Sequence, residues 1–223
     1  MPVEQQRAIH TSEVKSLSEL IAPGGQLWEH ITELVSGAAV PSAVLPSNAS
    51  TDPVLEALQM TTGSTLGSIV HSSGGLLIDH GWVRLNGGGH EQVRAVADEG
   101  AGLLTVGHDV VGGQFALNVG ALWGSPGEVN YWGPDVLEWT PLGLGYSDFV
   151  FSFLEGATVD FYSTLRWNGW EEEVAALPLD QGLALYPPPF SEEGQVIDLV
   201  ERSAVDLKEL HYMYADYEAE FNA

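Results

Sequence analysis

Residues 103–140 read "LLTVGHDVVGGQFALNVGALWGSPGEVNYWGPDVLEWT". Four runs in this stretch, "LLTVGHD", "GQFALNVGAL", "GEVNYW" and "VLEWT", have strand length and are rich in Val, Leu and aromatic residues. The turn segments "VVGG", "WGSPG" and "GPD" divide them. Short runs joined by Gly- and Pro-containing turns can pair only with their sequence neighbours running back the other way, so the stretch predicts an antiparallel meander. Just upstream, "GGLLIDHGWVRLNGGGH" predicts two more short strands, Leu76 to Asp79 and Trp82 to Leu85, punctuated by glycines. The predicted sheet thus occupies roughly residues 76–140.

Helical signals flank the sheet on both sides. Ser16 with Glu19 fits a capping box, and "GGQLWEHITELVSGAA" places Leu27, Ile31, Leu34 and Val35 at helical spacing. The segment "VPSAVLPSNAST" reads as loop. Asp52 and Pro53 follow as an N-cap and first helical residue, opening a helix through Met60, and Thr65 to Ser72 reads as a further short helical turn. After the sheet, helices are predicted over Ser147–Glu155, across "VDFYSTLRW" and at "WEEEVAAL", and the three prolines of "GLALYPPPF" end regular structure. From Ser203 to Phe221, Leu207, Leu210, Tyr214, Tyr217 and Phe221 recur every three or four residues, an apolar stripe on one helix. The expectation is one α+β domain over residues 1–223: a mostly antiparallel sheet flanked by helices, an N-terminal helical extension over residues 1–50 and a C-terminal helix over 203–221.

Charge is the strongest global feature. Seven Lys and Arg face 31 Asp and Glu, a formal net charge of -24, and no Lys or Arg occurs between Arg94 and Arg166. Such a surface repels phosphate backbones and anionic lipid heads, whose capture depends on Lys and Arg, and it attracts basic partners. Nucleic acid and membrane are therefore not expected partners, whereas a basic protein is. With 44% hydrophobic and 17% charged residues the chain has a globular composition. No apolar run approaches the roughly 18 residues of a membrane span. The first residues, "MPVEQQRAIHTSEV", lack the basic and apolar regions of a secretory signal, so a soluble, cytoplasmic protein is expected. With no cysteine, disulfides, thiolate nucleophiles and Cys-bound zinc are excluded.

Motifs for catalysis are few. In "GLGYSDFVFSFLEG", Gly145 lies two residues before Ser147, yet Phe149 stands where a nucleophile elbow needs its second glycine. Ser147 is read as a helix N-cap with Asp148 in the first turn. Glu171, Glu172 and Glu173 suit the start of a helix, and Asp135 suits the turn "GPD". One constellation has metal-ligating chemistry: Asp79, His80, His90, His108 and Asp109, which strand ends and Gly-rich loops can bring together. A metal-assisted hydrolase using His80, His90, His108 and a carboxylate is the alternative reading, with His80 in "DHGW" first to test; histidines in turns are more often solvated or hydrogen-bonded. No catalytic or cofactor-binding residue is assigned, and no cofactor is expected. Five of the seven tryptophans fall between Trp123 and Trp170, a density read as core packing rather than a ligand groove. The C-terminal stripe packs on its own domain or joins two copies in a homo-oligomer.

The segments "TTGSTLGSIVHSSGGLLIDHGWVRLNGGGH", "VVGGQFALNVGAL", "LEWTPLGLGYSDF", "FYSTLRWNGWEEEVAAL" and "DQGLALYPPPFSEEG", in this order over roughly residues 50–210, resemble an uncharacterised bacterial family, number twenty-six twenty-five of the domain-of-unknown-function series. That resemblance implies no activity. More loosely, "FALNVGAL", "GEVNYW", "GPDVLEW" and "YSDFVFSFL" are similar to the SUKH superfamily (Smi1, Knr4, Syd and relatives), which implies a sheet with flanking helices used for protein binding, often as immunity against secreted toxins. The N-terminal helices depart from that pattern. Together these readings point to a non-enzymatic, immunity- or antitoxin-like protein-binding module.

Overall fold

Val83 and Leu85 alternate with Arg84 and Asn86, and Phe115 and Leu117 with Gln114 and Ala116; the two-residue period of a strand sends each set to its own face of a sheet. The structure, a computed structural model describing residues 14–23, 25–48, 50–98 and 102–221, has this arrangement. Its elements in chain order are α1 (Leu17–Leu20), α2 (Gln26–Ser36), β1 (Ala43–Leu45), α3 (Asp52–Leu58), α4 (Thr65–Ser72), β2 (Gly75–Ile78), β3 (Val83–Asn86), β4 (Ala97–Asp98), β5 (Leu103–Asp109), β6 (Gln114–Asn118), β7 (Glu128–Gly133) and β8 (Glu138–Gly145). Then follow α5 (Tyr146–Leu154), α6 (Thr158–Phe161), α7 (Trp170–Ala176), β9 (Gln181–Tyr186), β10 (Glu201–Asp206) and α8 (Leu207–Phe221). Strands β1, β2, β3, β5, β6, β7 and β8 lie side by side in that order, β4 pairs with β5, and every pairing is antiparallel. The fold is therefore α+β, with the expected meander at its centre and a C-terminal helix.

One sheet face carries the main core. Val83, Leu85, Val106, Phe115, Val129 and Tyr131 meet Ile31, Leu55, Ile69, Phe149 and Phe153 from α2, α3, α4 and α5. Aromatic rings dominate its centre, with Phe115 4.9 Å from Phe149 and Phe149 4.6 Å from Phe153, ring centre to ring centre. Burying side chains of this size contributes about 1.5–3 kcal/mol each, which makes this layer the principal stabilising term.

The opposite face is covered only in part. Trp132 of β7 packs with Leu210 and Tyr214 of α8, joined by Phe190, Met213 and Tyr217. The apolar stripe of the C-terminal helix is thus applied to its own sheet, leaving Tyr212 and Phe221 largely exposed. Of the clustered tryptophans, Trp132 and Trp167 are buried as expected, whereas Trp123 is exposed.

Several local expectations are corrected. The segment read as loop after Pro41 contains β1, which extends the sheet by pairing Val44 with Leu76. Helix α8 begins at Leu207 rather than Ser203, because residues 201–206 pair with β9 as a second, two-stranded sheet. The regular structure before the prolines is β9. The helix expected across "VDFYSTLRW" stops at Phe161, where Ser163 and Leu165 close tighter turns onto Asp160 and Tyr162. In the expected N-terminal extension, Leu20, Ile31 and Val35 belong to the core cluster, and residues 1–13 lie outside the described residues. The capping box forms, Ser16 Oγ donating to Glu19 Oε2 at 2.6 Å and the Ser16 amide at 2.9 Å.

Candidate binding cleft

Ser147 lies one residue inside α5, whose N-cap is Gly145, so the expected cap is not formed there. Its hydroxyl instead meets the Thr65 hydroxyl at 2.7 Å, tying α5 to α4. Among the described residues this is its side-chain bond, a structural link between helices.

Asp79 and His80 form the turn between β2 and β3, both with φ +58°, a left-handed conformation that Asp tolerates better than bulkier residues. Asp79 Oδ2 accepts from Thr158 Oγ1 and from Arg166 Nη2, each at 2.6 Å. The Arg166 guanidinium carbon lies 4.0 Å from the Trp170 ring centre, 4.9 Å from Trp82 and 5.3 Å from Tyr162. His80 packs edge-on against Trp170 at 5.5 Å. This constellation is an ion pair in an aromatic cage, holding the loop after α6 against the sheet.

Asp109 ends β5 and turns inward. Its Oδ1 accepts from the amides of Val111 (3.0 Å) and Gly113 (2.8 Å), and its Oδ2 from the Tyr131 hydroxyl at 2.7 Å. Burial raises its pKa, with those three bonds opposing. A Cβ on Gly113 would overlap the Asp109 carboxylate and the Tyr131 hydroxyl, so the turn needs glycine for this approach.

His90 and His108 both line a cleft of about 670 Å³ between the partly covered sheet face and the start of α8. Asn86 of β3, Thr105 and His108 of β5 and Gln114 of β6 supply its floor. A bulge between Thr105 and Gly107 shifts the β5 register and puts His108 opposite Arg84 and Gln114. The first turns of α8 supply Lys208, His211 and Tyr212, and the loop between β3 and β4 supplies His90 and Arg94. Asp206 caps α8, its Oδ1 accepting the Lys208 amide at 2.8 Å. Arg84, fully buried, donates through Nη1 to the carbonyls of Gln181 (2.7 Å) and Pro178 (3.0 Å), fixing the start of β9 to the sheet. Burial lowers its pKa to about 10, against the opposing charges of Asp180 and Asp109.

The floor is desolvated. His108 lies 6.4 Å from His211, ring centre to ring centre, at 83°. Burial, with Arg84, His211 and Arg94 adding to it, holds the His108 pKa well below the usual range; burial and Arg94 lower that of His211 to about 4. Both imidazoles are therefore neutral near pH 7. Neither Nε2, nor Oδ1 of Asn86, has a hydrogen-bond partner among the described residues, and each of these atoms is closed off from solvent. The alternative metal reading finds no support: His80 and Asp109 lie outside the cleft lining, and among the described residues no group of three or more His, Asp or Glu is placed to hold a metal ion. Sequence reasoning missed Asn86, Arg94, Lys208 and His211. The signal available was the polar half of the alternation in "VRLN" and "QFALN".

Fold and site together define an α+β protein with a polar cleft on one face of an antiparallel sheet. Residues 17–210 match the family described as Protein of unknown function DUF2625, and the chain belongs to that family. It is 34% identical to the uncharacterised protein YbfG of Escherichia coli (strain K12), over 89% of this chain and 96% of that protein. It is 29% identical to an uncharacterised protein of Haemophilus influenzae, over 89% of this chain and 92% of that protein. No solved structure matches the chain. Among the described residues no helix is long and apolar enough to cross a membrane.

Proposed function

We propose that this chain is a non-enzymatic, cytoplasmic binding protein whose partner is a basic protein, in an immunity- or antitoxin-like role. One observation carries the reading: 31 acids face seven Lys and Arg, and three of those cations are engaged within the fold. Arg84 is fully buried, the Arg166 side chain is 9% exposed within its cage, and Arg202 pairs with Glu173 at 3.1 Å and stacks on Trp167 at 4.6 Å. Lys15, Arg94 and Lys208 are the exposed cations among the described residues, too few to offset the acids, and a field of net charge -24 speeds encounter with a basic surface. The likeness to SUKH proteins supports the same class. Neither Ser147 nor Asp109 is poised for catalysis, since both are committed to structural bonds.

The test is capture from the native host at low salt with cross-linking, followed by stopped-flow association with the purified partner. A partner of high isoelectric point, whose association rate falls at least about tenfold between 50 and 500 mM salt, is the expected result. Capture of no partner, or of one that associates at a salt-independent rate, overturns the reading.

A further inference from the structure

Trp123 is 92% exposed, at the middle of the loop of residues 119–127 between β6 and β7. A ring left in water adds little to the fold, yet the loop that carries it is held from within. Asn118, 2% exposed, donates through Nδ2 to the carbonyls of Leu122 (2.9 Å) and Gly124 (3.3 Å), and its Oδ1 accepts from the amides of Gly120 (2.9 Å) and Leu122 (3.2 Å). Glu128 Oε2 accepts the Ser125 amide at 3.0 Å and Oε1 the Gly143 amide at 2.8 Å, which ties the loop to β8. A large ring presented on a fixed backbone loses little conformational freedom when a partner covers it, the condition under which Trp serves as a binding hot spot. Val119, 59% exposed, begins the same loop.

The loop rises from the rim of a hollow. Leu117 and Gly127, at its two ends, line a depression of about 330 Å³ together with Met60, Leu66, Tyr146 and Ser147. The Gly127 amide donates to the Asn118 carbonyl at 2.8 Å, which closes the loop at that rim. Leu66, Leu117 and Tyr146 belong to the main core cluster, so the hollow is an apolar notch where that core meets the surface, and unbranched Met60 adapts to what enters it. The surroundings are acidic on the loop side. Glu128 follows Gly127, and exposed Asp148 follows Ser147. Among the described residues no Lys or Arg lines the hollow, and none occurs between Arg94 and Arg166, the interval that supplies the loop, β7, β8 and α5. One cation, Lys15, lies towards the Met60 end, its amide bonded to Gln59 Oε1 at 2.7 Å.

We propose that the Trp123 loop and the adjoining hollow form a docking surface for an amphipathic basic segment of a protein partner, an apolar side chain of the segment entering the hollow and a Lys or Arg lying over the Trp123 ring. Trp is the best aromatic partner for a cation, and the charges of Glu128 and Asp148 have the sign that attracts one. An acidic segment, or a second copy of this chain at net charge -24, lacks that match. The inference rests on the basic-partner reading for the sign of the partner's charge, and adds the surface and the kind of segment that fits it.

Isothermal titration of the full chain with a peptide of repeated Lys-Leu-Leu-Lys units, at physiological ionic strength, tests it. Saturable binding at one site is expected, weakened about tenfold or more in W123A, which removes a ring already in water and leaves the fold intact. Y212A, which removes another largely exposed ring from α8 on the opposite face of the sheet, is expected to leave binding unchanged. A peptide with Ser in place of Leu, equal in charge, is expected to bind at least about fivefold more weakly because nothing fills the hollow, and one with Glu in place of Lys not at all. Absence of binding by the Lys-Leu peptide, a W123A effect no larger than that of Y212A, equal binding of the Ser peptide, or binding of the Glu peptide overturns the proposal. Capture from the native host separates this surface from the broader reading. A basic partner held equally by the natural chain and by W123A overturns the surface and leaves the reading, whereas peptide binding lost in W123A, with no basic partner captured, supports the surface and overturns the reading.

Discussion

Asp79→Asn isolates the charge of the caged ion pair. Asn tolerates the left-handed φ of +58° at this turn, so the change adds little backbone strain, and it keeps an acceptor for Thr158 or Arg166. What it removes is, among the described residues, the counter-charge bonded to a guanidinium whose side chain is 9% exposed and whose Nε has no partner there. Removing one member of a buried pair costs about 3–5 kcal/mol. The retained hydrogen bond offsets about 1 kcal/mol of that, and the cation–π contacts with Trp170 and Trp82 survive. The expected loss is about 2–4 kcal/mol, which for a chain of this size lowers Tm by roughly 5–15 °C. Urea unfolding followed by tryptophan fluorescence measures it, with an unchanged m-value as the check on two-state behaviour. The D79N R166M double variant is expected to recover part of the loss, since it leaves no unpaired charge. A loss below about 1 kcal/mol in D79N, or strictly additive effects in the double variant, would refute the account of Asp79 as the anchor of the cage.

Other outcomes follow from the same structure. Gly113→Ala forces a methyl group onto the Asp109 carboxylate and Tyr131 hydroxyl and is expected to cost about 1–3 kcal/mol or more in urea unfolding; a neutral effect would refute the need for glycine at this turn. Ser147→Ala is expected to cost about 1 kcal/mol, with Thr65→Ala costing the same and the double variant little more; additive losses would return Ser147 to a role of its own. His211 has a folded pKa lowered to about 4 from an unfolded value near 6.5, so its neutral form is favoured by folding. The stability it contributes is present above pH 6.5 and lost as pH falls towards 4, by at most about 3 kcal/mol. His211→Gln is therefore expected to flatten the stability profile between pH 6.5 and 4 relative to the natural chain, in thermal melts recorded across that window. Asp109, whose pKa is raised, acts in the opposite direction at the acid end and is common to both proteins.

The parts of the fold that were legible in sequence are those with short-range causes. Strands β5 to β8 announce themselves because each run ends in glycine or proline turns and its neighbour in sequence is its partner in space. β1 was not legible: three residues between Pro41 and Pro46 become a strand only because β2 offers an edge to pair with. β10 is hidden for a related reason, since "ERSAVD" is mostly exposed and carries no strong alternation, and it is defined by pairing with β9. Ser147 misled because a Ser before an apolar run has the sequence form of a cap, while the chain leaving β8 already enters the helix at Gly145. In the cleft, His108 was noticed and His211 was not. They stand about a hundred residues apart, one on a strand and the other on a helix that only tertiary packing brings over the sheet, and no local spacing records that meeting.

The account rests on His108 and His211 being desolvated where α8 packs over the sheet rather than facing solvent. Imidazole NMR of the free protein across pH 3.5 to 8 measures this most directly. The account predicts His211 titrating near pH 4 and His108 well below the usual imidazole range. Titration of either ring close to 6.5 would contradict it.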